Sequence, residues 1–304
     1  MPTEFKFTNE GCVEYDKADK AILFLREMEK YALEKDPRGY MLGYSGGKDS
    51  TVLAQLFKEA GVKYFLIHNI TGIDPPELVY FKRRQFAKLE GEHIFCMSIQ
   101  HPKSIIQICE QQKLAPIRTK RFCCEYLKEY RPENLKNCVC SFGVRKYESL
   151  NREAKRDELE IQKSKKKVQL FTYDNDENRK QFETCYASGF REMRVNPIAY
   201  WTDADVWDFI YDRKLQYCEL YDEGWDRLGC VGCPCANKQR KTQFERWPGL
   251  KRVWIIAFEK IWEAREIAGM KRLCGCNSAL DMFNWWMEDL PSLELQIEGQ
   301  MEFE

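Results

Sequence analysis

The residues with the clearest capacity for chemistry form one short segment: Ser45, Gly46, Gly47, Lys48, Asp49 and Ser50. An apolar run at 40–44 precedes this segment, and residues 51–57 follow it with the apolar spacing of a helix. A turn between a strand and a helix directs free backbone N–H groups and the positive helix end at one place, which suits a phosphate. The glycines permit close approach of the backbone, Lys48 supplies a mobile charge, and Asp49 supplies a carboxylate for Mg²⁺. The spacing is not that of a Walker motif, and it predicts a nucleotide site rather than an ordinary glycine turn.

Four of the fourteen cysteines stand in two close pairs: Cys123, Cys124, Cys230 and Cys233. The N-terminus lacks the pattern of a secretion signal, so we expect a cytoplasmic protein, in which grouped cysteines indicate metal binding or redox chemistry. Four thiolates suit Zn²⁺ or an iron–sulfur cluster. Zinc sites favour cysteines about two to four residues apart, so the adjacent pair argues against zinc and leaves a cluster or metal-free thiols. Cys235 is a competing ligand, and the spacing leaves that choice open.

A third group of polar residues begins where a short predicted strand ends: Gly143, Arg145, Glu148 and Arg152. A guanidinium group in that position can hold a phosphate or a sulfate through two parallel hydrogen bonds. Glu148 and Arg152 are four residues apart, so they can also pair with each other on a helix without any ligand. The residues alone leave both interpretations open.

The overall composition excludes some classes of protein. Lysine plus arginine and aspartate plus glutamate both total 48, so the surface is not broadly basic, although a local nucleic-acid patch such as the lysine-rich segment 163–167 stays compatible with neutrality. The sequence contains no apolar run of the length that a membrane-spanning helix requires. We therefore expect no membrane association.

Apolar runs and helical patterns alternate along the first half of the chain. The pattern predicts strands at 39–44, 63–69, 93–97 and 138–142 and helices at 17–35, 50–60, 76–89, 103–112 and 249–268. This alternation indicates an α/β fold with a doubly wound parallel sheet, whose ligand should lie at the carboxyl ends of the strands. We divide the chain into a nucleotide-binding domain (1–150), a charged insertion or mobile segment (151–195), an aromatic and cysteine-rich helical part (196–287) and an acidic tail (288–304).

Taken in order, these motifs resemble the phosphoadenosine phosphosulfate reductase family of the adenine-nucleotide PP-loop (ATP pyrophosphatase) superfamily. The resemblance runs from about 39 to 236 and includes segments at 71–77, 196–207 and 220–224 besides the loop, Gly143 to Arg152 and the cysteine pairs. It implies a sheet of the adenine-nucleotide alpha-hydrolase type, with the phosphates on the loop and the base near His68, Thr71 and Gly72. It places Arg145 and Arg152 near the anionic end. The cysteine pattern resembles that of assimilatory adenylylsulfate reductases, which hold a 4Fe-4S cluster.

Two reactions of this superfamily compete. A sulfonucleotide reductase uses a cysteine nucleophile in a C-terminal Glu-Cys-Gly-Leu-His-type segment and releases sulfite with thioredoxin. Here the nearest match, around Cys274 and Cys276, has no preceding acid and no following histidine. Reductases also tend to retain only part of the loop sequence, whereas this chain keeps every position of it.

The resemblance therefore favours an enzyme that cleaves ATP to AMP and pyrophosphate, with Lys48, Asp49 and Arg145 as catalytic residues and Mg²⁺ beside the phosphates. Such an enzyme would activate an acceptor, with nucleic acid favoured, for iron–sulfur-dependent sulfur transfer. A cysteine desulfurase is an expected sulfur donor, and a homodimer is left open. The alternatives are the reductase and a nucleotide-binding accessory protein of a mobile-element or defence system.

Overall fold

A seven-stranded sheet organises most of the chain in the computed structural model, which describes residues 3–8, 11–148, 156–164, 167–172, 176–189, 191–236, 239–270 and 275–288. A separate antiparallel hairpin precedes it, formed by β1 (Thr3–Thr8) and β2 (Gly11–Asp16). The strands of the main sheet are β3 (Tyr40–Gly43), β4 (Tyr64–Ile70), β5 (Cys96–Gln100), β6 (Cys140–Ser141), β7 (Leu159–Ser164), β8 (Lys167–Phe171) and β9 (Glu192–Val195). Their order across the sheet is β5-β4-β3-β6-β9-β7-β8.

Strand β3 lies inside the sheet, and its neighbours β4 and β6 both run parallel to it. Strand β9 is in turn parallel to β6. Met41 and Leu42 of β3 are both fully buried, as expected for a parallel strand that is covered on both faces and reads as a continuous apolar run. The predicted α/β fold is confirmed, and parallel pairing brings the carboxyl ends of these four strands to one edge.

Helices alternate with the strands and then dominate the last third of the described chain. They are α1 (Lys17–Lys35), α2 (Lys48–Ala60), α3 (Pro76–Gly91), α4 (Ile105–Gln112), α5 (Asp176–Ala187), α6 (Asp203–Asp212), α7 (Gln239–Arg246), α8 (Pro248–Ile267) and α9 (Ala279–Met287). A short π-helical turn covers Cys124–Lys128. In the described residues no helix is long and apolar enough to cross a membrane.

The charged stretch after residue 151 differs from its prediction as an exposed helical insertion or a mobile segment. Its described part contains β7 and β8, which extend the sheet through an antiparallel pairing of β7 with β9. Leu159 and Ile161 are fully buried in β7, and Phe182 of α5 is buried against Tyr31. The alternation of these apolar residues with charged neighbours is the pattern of a half-buried strand, and the high charge of the stretch obscured it.

The chain divides into two compact units that do not follow the predicted domain boundaries. The first comprises Met1–His68, Glu77–Ile99 and Arg131–Leu228, and the second comprises Asn69–Pro76, Gln100–Tyr130 and Gly229–Glu304. The part of the chain from 151 to 228 belongs to the first unit, whose sheet β7, β8 and β9 complete. The division into two units depends on contacts between strands, and these contacts cannot be predicted from the order of segments in the sequence.

Each unit has its own apolar core. In the first unit, buried residues of α1, α2, α5 and α6 form one apolar cluster with buried residues of the sheet. In the second unit, α4 and α9 pack on α8, and Trp254, Phe258, Phe283 and Trp286 form a group of contacting rings.

We expect Leu42→Ala to lower the free energy of unfolding by about 2–5 kcal/mol, because it removes a fully buried side chain from a central strand. Leu33→Ala, the same change at a side chain of α1 that is 38% exposed, is the matched control and should cost much less. Equilibrium denaturation of both variants measures the difference. Equal losses would contradict the assignment of β3 to the interior of the sheet.

Candidate functional site

The loop between β3 and α2 has the geometry of an anion-binding turn. Gly46 has a φ of +78°, and a Cβ placed there would lie 2.6 Å from Cγ of Lys82, so glycine is required for both reasons. The Ser50 hydroxyl donates to the Gly47 carbonyl at 2.9 Å, and the hydroxyls of Ser45 and Ser50 lie 3.2 Å apart. These hydrogen bonds stabilise the turn at 45–50. The N-terminal end of α2 is directed toward that turn. The turn lies at the carboxyl end of β3, where an α/β sheet presents its ligand site.

Two buried cations face this turn. Lys48 is 6% exposed and Arg145 is 4% exposed, although both side chains are charged. Nε of Arg145 lies 2.6 Å from Oδ1 of Asp49, and Nζ of Lys48 lies 3.7 Å from Oδ2 of the same carboxylate. Buried charges are tolerated when opposite charges compensate them, so the turn gathers positive charge without leaving it uncompensated.

Asp203 and Tyr221 complete the cluster, and the sequence analysis assigned neither of them a role. Oδ1 of Asp203 lies 3.0 Å from Nζ of Lys48 and 2.9 Å from Nη2 of Arg145. The hydroxyl of Tyr221 accepts a hydrogen bond of 3.0 Å from the backbone N–H of Lys48. Both residues fall in the segments 196–207 and 220–224 that carry the family resemblance, and that position was the only signal that could have found them.

The electrostatics of these two residues reflect their surroundings. Partial burial opposes ionisation of Asp203, but the hydrogen bond and charge of Lys48, together with Arg145, lower the pKa of this carboxyl below its usual value. Burial raises the pKa of the Tyr221 hydroxyl, so this side chain remains a neutral hydrogen-bonding group. Asp203 is therefore a firmly ionised carboxylate that bridges two cations.

The other predicted nucleotide-binding residues divide between the two units. Gly143 lies against the start of α2, where a Cβ on it would be 3.0 Å from Asp49. Nδ1 of His68 lies 3.1 Å from the carbonyl oxygen of Tyr44, the residue that precedes the loop. Thr71 and Gly72 belong to the second unit, where the Thr71 hydroxyl donates to Asp74 at 2.9 Å. Only the backbone of Glu148 is described, and Arg152 lies outside the described residues.

The second unit brings the predicted cysteine pairs into one neighbourhood. A hydrogen bond with Cys124, then burial and the charges of Cys124, Cys230 and Cys233, raises the pKa of Cys123. Loss of solvation raises the pKa of Cys230 to about 11. The four thiols therefore lie within electrostatic reach of one another, although 105 residues separate the two pairs in sequence.

Backbone contacts and basic side chains surround these thiols. The N–H of Val231 donates to the carbonyl of Ile73 at 2.8 Å, and Nε1 of Trp254 donates to the carbonyl of Val231 at 2.9 Å. The charge of the Cys230 thiolate raises the pKa of Lys128. Nη1 of Arg121 lies 3.8 Å from the sulfur of Cys235. Positive groups thus border the cysteine group, as a negatively charged thiolate site requires.

The four cysteines supply the donor type of both metal groups that the sequence allows, zinc and an iron–sulfur cluster. Within the described residues, no group of three or more His, Cys, Asp or Glu side chains is already arranged to hold a metal ion. The chemistry of four thiols in one neighbourhood, bordered by basic side chains, fits an iron–sulfur cluster.

Comparison with known proteins decides the family. Residues 39–236 match the model of the phosphoadenosine phosphosulfate reductase domain. The chain belongs to this family. The family resemblance inferred from the motifs is confirmed, and the match spans the loop, both cysteine pairs and the segments that contain Asp203 and Tyr221.

Individual relatives extend this comparison. An uncharacterised protein of Methanocaldococcus jannaschii is 27% identical over 266 residues, which cover 85% of this chain and 46% of that protein. A second protein of the same organism is 30% identical over 225 residues, covering 71% of this chain and 47% of the relative. The chain thus spans about half the length of these curated relatives. A solved structure of the U34-tRNA thiolase NcsA from Methanococcus maripaludis with its 4Fe-4S cluster is 15% identical, with a TM-score of 0.40 over 92% of this chain and 90% of that chain.

We expect Gly46→Ala to weaken pyrophosphate binding at least tenfold, because the new Cβ combines an unfavourable φ with a clash that displaces the turn. Gly61→Ala is the matched control, since Gly61 ends the same helix with a φ of +68° and a Cβ there would meet no atom within 4 Å. Both variants should lose about 1 kcal/mol of stability from the backbone conformation. Calorimetric titration with pyrophosphate that found equal affinities in both would contradict an anion site on this turn.

Proposed function

We propose that this chain binds ATP with Mg²⁺, cleaves it to AMP and pyrophosphate, and thereby activates an acceptor for sulfur transfer. One observation carries the proposal. Every position of the loop is present, and its turn brings together Lys48 and Arg145, two buried cations from the segments that follow the adjacent parallel strands β3 and β6. An ATP-cleaving enzyme needs this concentration of positive charge at the position of the leaving pyrophosphate.

The proposed reaction has two steps. An acceptor oxygen attacks the α-phosphorus, the bond from that phosphorus to the bridging oxygen breaks, and pyrophosphate leaves with the bonding electron pair. A sulfur nucleophile then attacks the activated carbon of the acceptor, and AMP leaves with the former acceptor oxygen. Lys48, Arg145 and the N–H groups at the start of α2 stabilise the charge that develops on pyrophosphate. Asp49 would hold the Mg²⁺ that shields the phosphates, and His68 at the end of β4 would border the adenine.

The second unit would provide the sulfur chemistry. Cys123, Cys124, Cys230 and Cys233 would hold a 4Fe-4S cluster, which supplies a site for binding the transferred sulfur. A cysteine desulfurase is the class of enzyme that would deliver that sulfur, and nucleic acid is the acceptor class that we favour. Lys128 and Arg121 balance the negative charge of the thiolates.

The packing around Cys276 supports this reaction over a sulfonucleotide reductase. A reductase needs a thiol on a mobile C-terminal segment, yet Cys276 is buried and Met282, Phe283 and Trp286 of the following α9 are buried as well. Nε1 of Trp286 donates to the carbonyl of Pro116 at 2.8 Å, and the Arg240 guanidinium lies 4.5 Å from the Trp286 ring. Cys274 lies outside the described residues.

We expect Lys48→Ala to reduce AMP formation from Mg·ATP by about a hundredfold to a thousandfold, because it removes one cation from the leaving pyrophosphate. Lys58→Ala is the matched control, since Lys58 lies in the same helix but is exposed and pairs with Glu92 at 2.7 Å. AMP and pyrophosphate are quantified with anaerobically purified full chain, total tRNA and sulfide.

A parallel reaction tests the competing activity. It contains adenylylsulfate or its 3′-phospho form with reduced thioredoxin, and sulfite is measured. Sulfite formation without AMP and pyrophosphate from ATP would overturn the proposal in favour of a reductase. Equal rates of AMP formation by Lys48→Ala and Lys58→Ala would contradict a role for the loop in the reaction.

We expect anaerobically purified protein to contain about four iron atoms and four acid-labile sulfides per chain. Cys124→Ser and Cys233→Ser should each lose most of this iron, because each change removes one of the proposed thiolate ligands. Cys96→Ser, at a half-buried thiol of the first unit, is the control and should keep it. Cys235→Ser should also keep it, and stoichiometric zinc without iron would overturn the cluster assignment.

A further inference from the structure

The carboxylate of Asp203 occupies a position where an anionic ligand would lie. One oxygen, Oδ1, contacts Nζ of Lys48 at 3.0 Å and Nη2 of Arg145 at 2.9 Å. The two cations are almost fully buried, whereas the side chain of Asp203 is 61% exposed. Asp203 therefore approaches the buried cations from the solvent side, which is also the side from which a ligand must arrive.

The helix that carries Asp203 does not need this carboxylate as a cap. A capping box already satisfies the start of α6: Thr202 accepts from the N–H of Asp205 at 3.2 Å, and Asp205 accepts from the N–H of Thr202 at 2.7 Å. Asp205 also pairs with Lys17 at 2.7 Å. An acidic residue in the first turn gains a little from the helix dipole, but this does not explain contacts with two cations from other segments.

A second group stands in a similar position on the backbone side of the turn. The Tyr221 hydroxyl accepts from the N–H of Lys48 at 3.0 Å, and N–H groups at a helix start are the usual partners of a bound phosphate. Trp207 of α6 contacts Tyr221 edge to face, with ring centroids 5.2 Å apart. The Asp203 carboxylate thus contacts the side-chain donors of the predicted phosphate site, Lys48 and Arg145. The Tyr221 hydroxyl contacts its backbone donor, the N–H of Lys48.

We propose that Asp203 is an affinity- and specificity-determining residue, a resident carboxylate that the phosphates of the nucleotide must displace from Lys48 and Arg145. This proposal rests on the proposed function, because it takes the loop to be the site of a nucleotide's phosphates. Asp49 and Asp203 each pair with both cations, so an anion that displaces Asp203 gains only the difference between its own contacts and those that Asp203 gives up.

This exchange sets a lower limit on the ligand. Inorganic sulfate carries less charge than pyrophosphate, so it gains less over the contacts of the displaced carboxylate. A pyrophosphate group carries more charge and enough oxygens to contact both cations and the N–H groups together. Asp203 therefore selects a pyrophosphate-bearing ligand over weakly charged anions.

The test is equilibrium calorimetry of the full chain with inorganic pyrophosphate and, separately, inorganic sulfate at constant ionic strength. We expect Asp203→Asn to bind pyrophosphate about three- to tenfold more tightly than wild type and to bring sulfate binding into the measurable range. Asp203→Glu, which keeps the charge, should stay close to wild type. Asp208→Asn makes the same charge change at an exposed position of α6 and should have no effect.

The outcomes separate this proposal from the proposed function. Unchanged or weaker pyrophosphate binding by Asp203→Asn, together with a loss of binding in Lys48→Ala, would overturn the role of Asp203 and leave the phosphate site intact. Equal binding by wild type and Lys48→Ala would overturn the phosphate site and the proposal with it. A merely structural role for Asp203 would lower the melting temperature without tightening pyrophosphate binding.

Discussion

The compensation of two buried cations is the constraint on which the first unit depends. Lys48 and Arg145 are almost fully removed from water, and a buried charge costs several kcal/mol unless opposite charges and hydrogen bonds surround it. Asp49 is the neighbour of Lys48 on α2, whereas Asp203 on α6 is distant in sequence from both cations. The parallel neighbours β3, β6 and β9 end at one edge of the sheet, and the segments that carry Lys48, Arg145 and Asp203 follow them there.

The second unit also brings ionisable groups together, and here the groups are thiols. Thiols brought together from positions 105 residues apart would repel one another once ionised, and basic side chains next to them reduce that repulsion. Hydrogen bonds from Val231 to Ile73 and from Trp254 to Val231 hold the backbone of the Cys-x-x-Cys turn. A turn held in this way would lower the ordering cost of the proposed cluster, because part of the chain entropy is already lost in folding.

Local patterns were sufficient to predict the parts of the fold that rest on local physics. The apolar run of β3, the glycine turn and the amphipathic α1 were each predicted to within a few residues, because their signals lie inside a single window of sequence. Strands β7 and β8 were missed, since lysines and glutamates surround the buried Leu159 and Ile161. Asp203 and Tyr221 were missed for another reason. Asp203 is 155 positions from Lys48 and Tyr221 is 173 positions from it, and neither residue type indicates such a distant contact.

The balance of charge around the loop bears on the chemistry as much as its shape does. Lys48 and Arg145 are each already paired with carboxylates, so neither offers an uncompensated charge to an incoming anion. A ligand gains only if it brings a cation of its own, replaces a carboxylate, or does both. Under the proposed function, a triphosphate with Mg²⁺ would meet both conditions, because the metal would pair with Asp49 while the phosphate oxygens took over the contacts of Asp203. The phosphosulfate group of adenylylsulfate carries less charge than a triphosphate, so the paired cations of this site support the choice of ATP in that proposal over a sulfonucleotide.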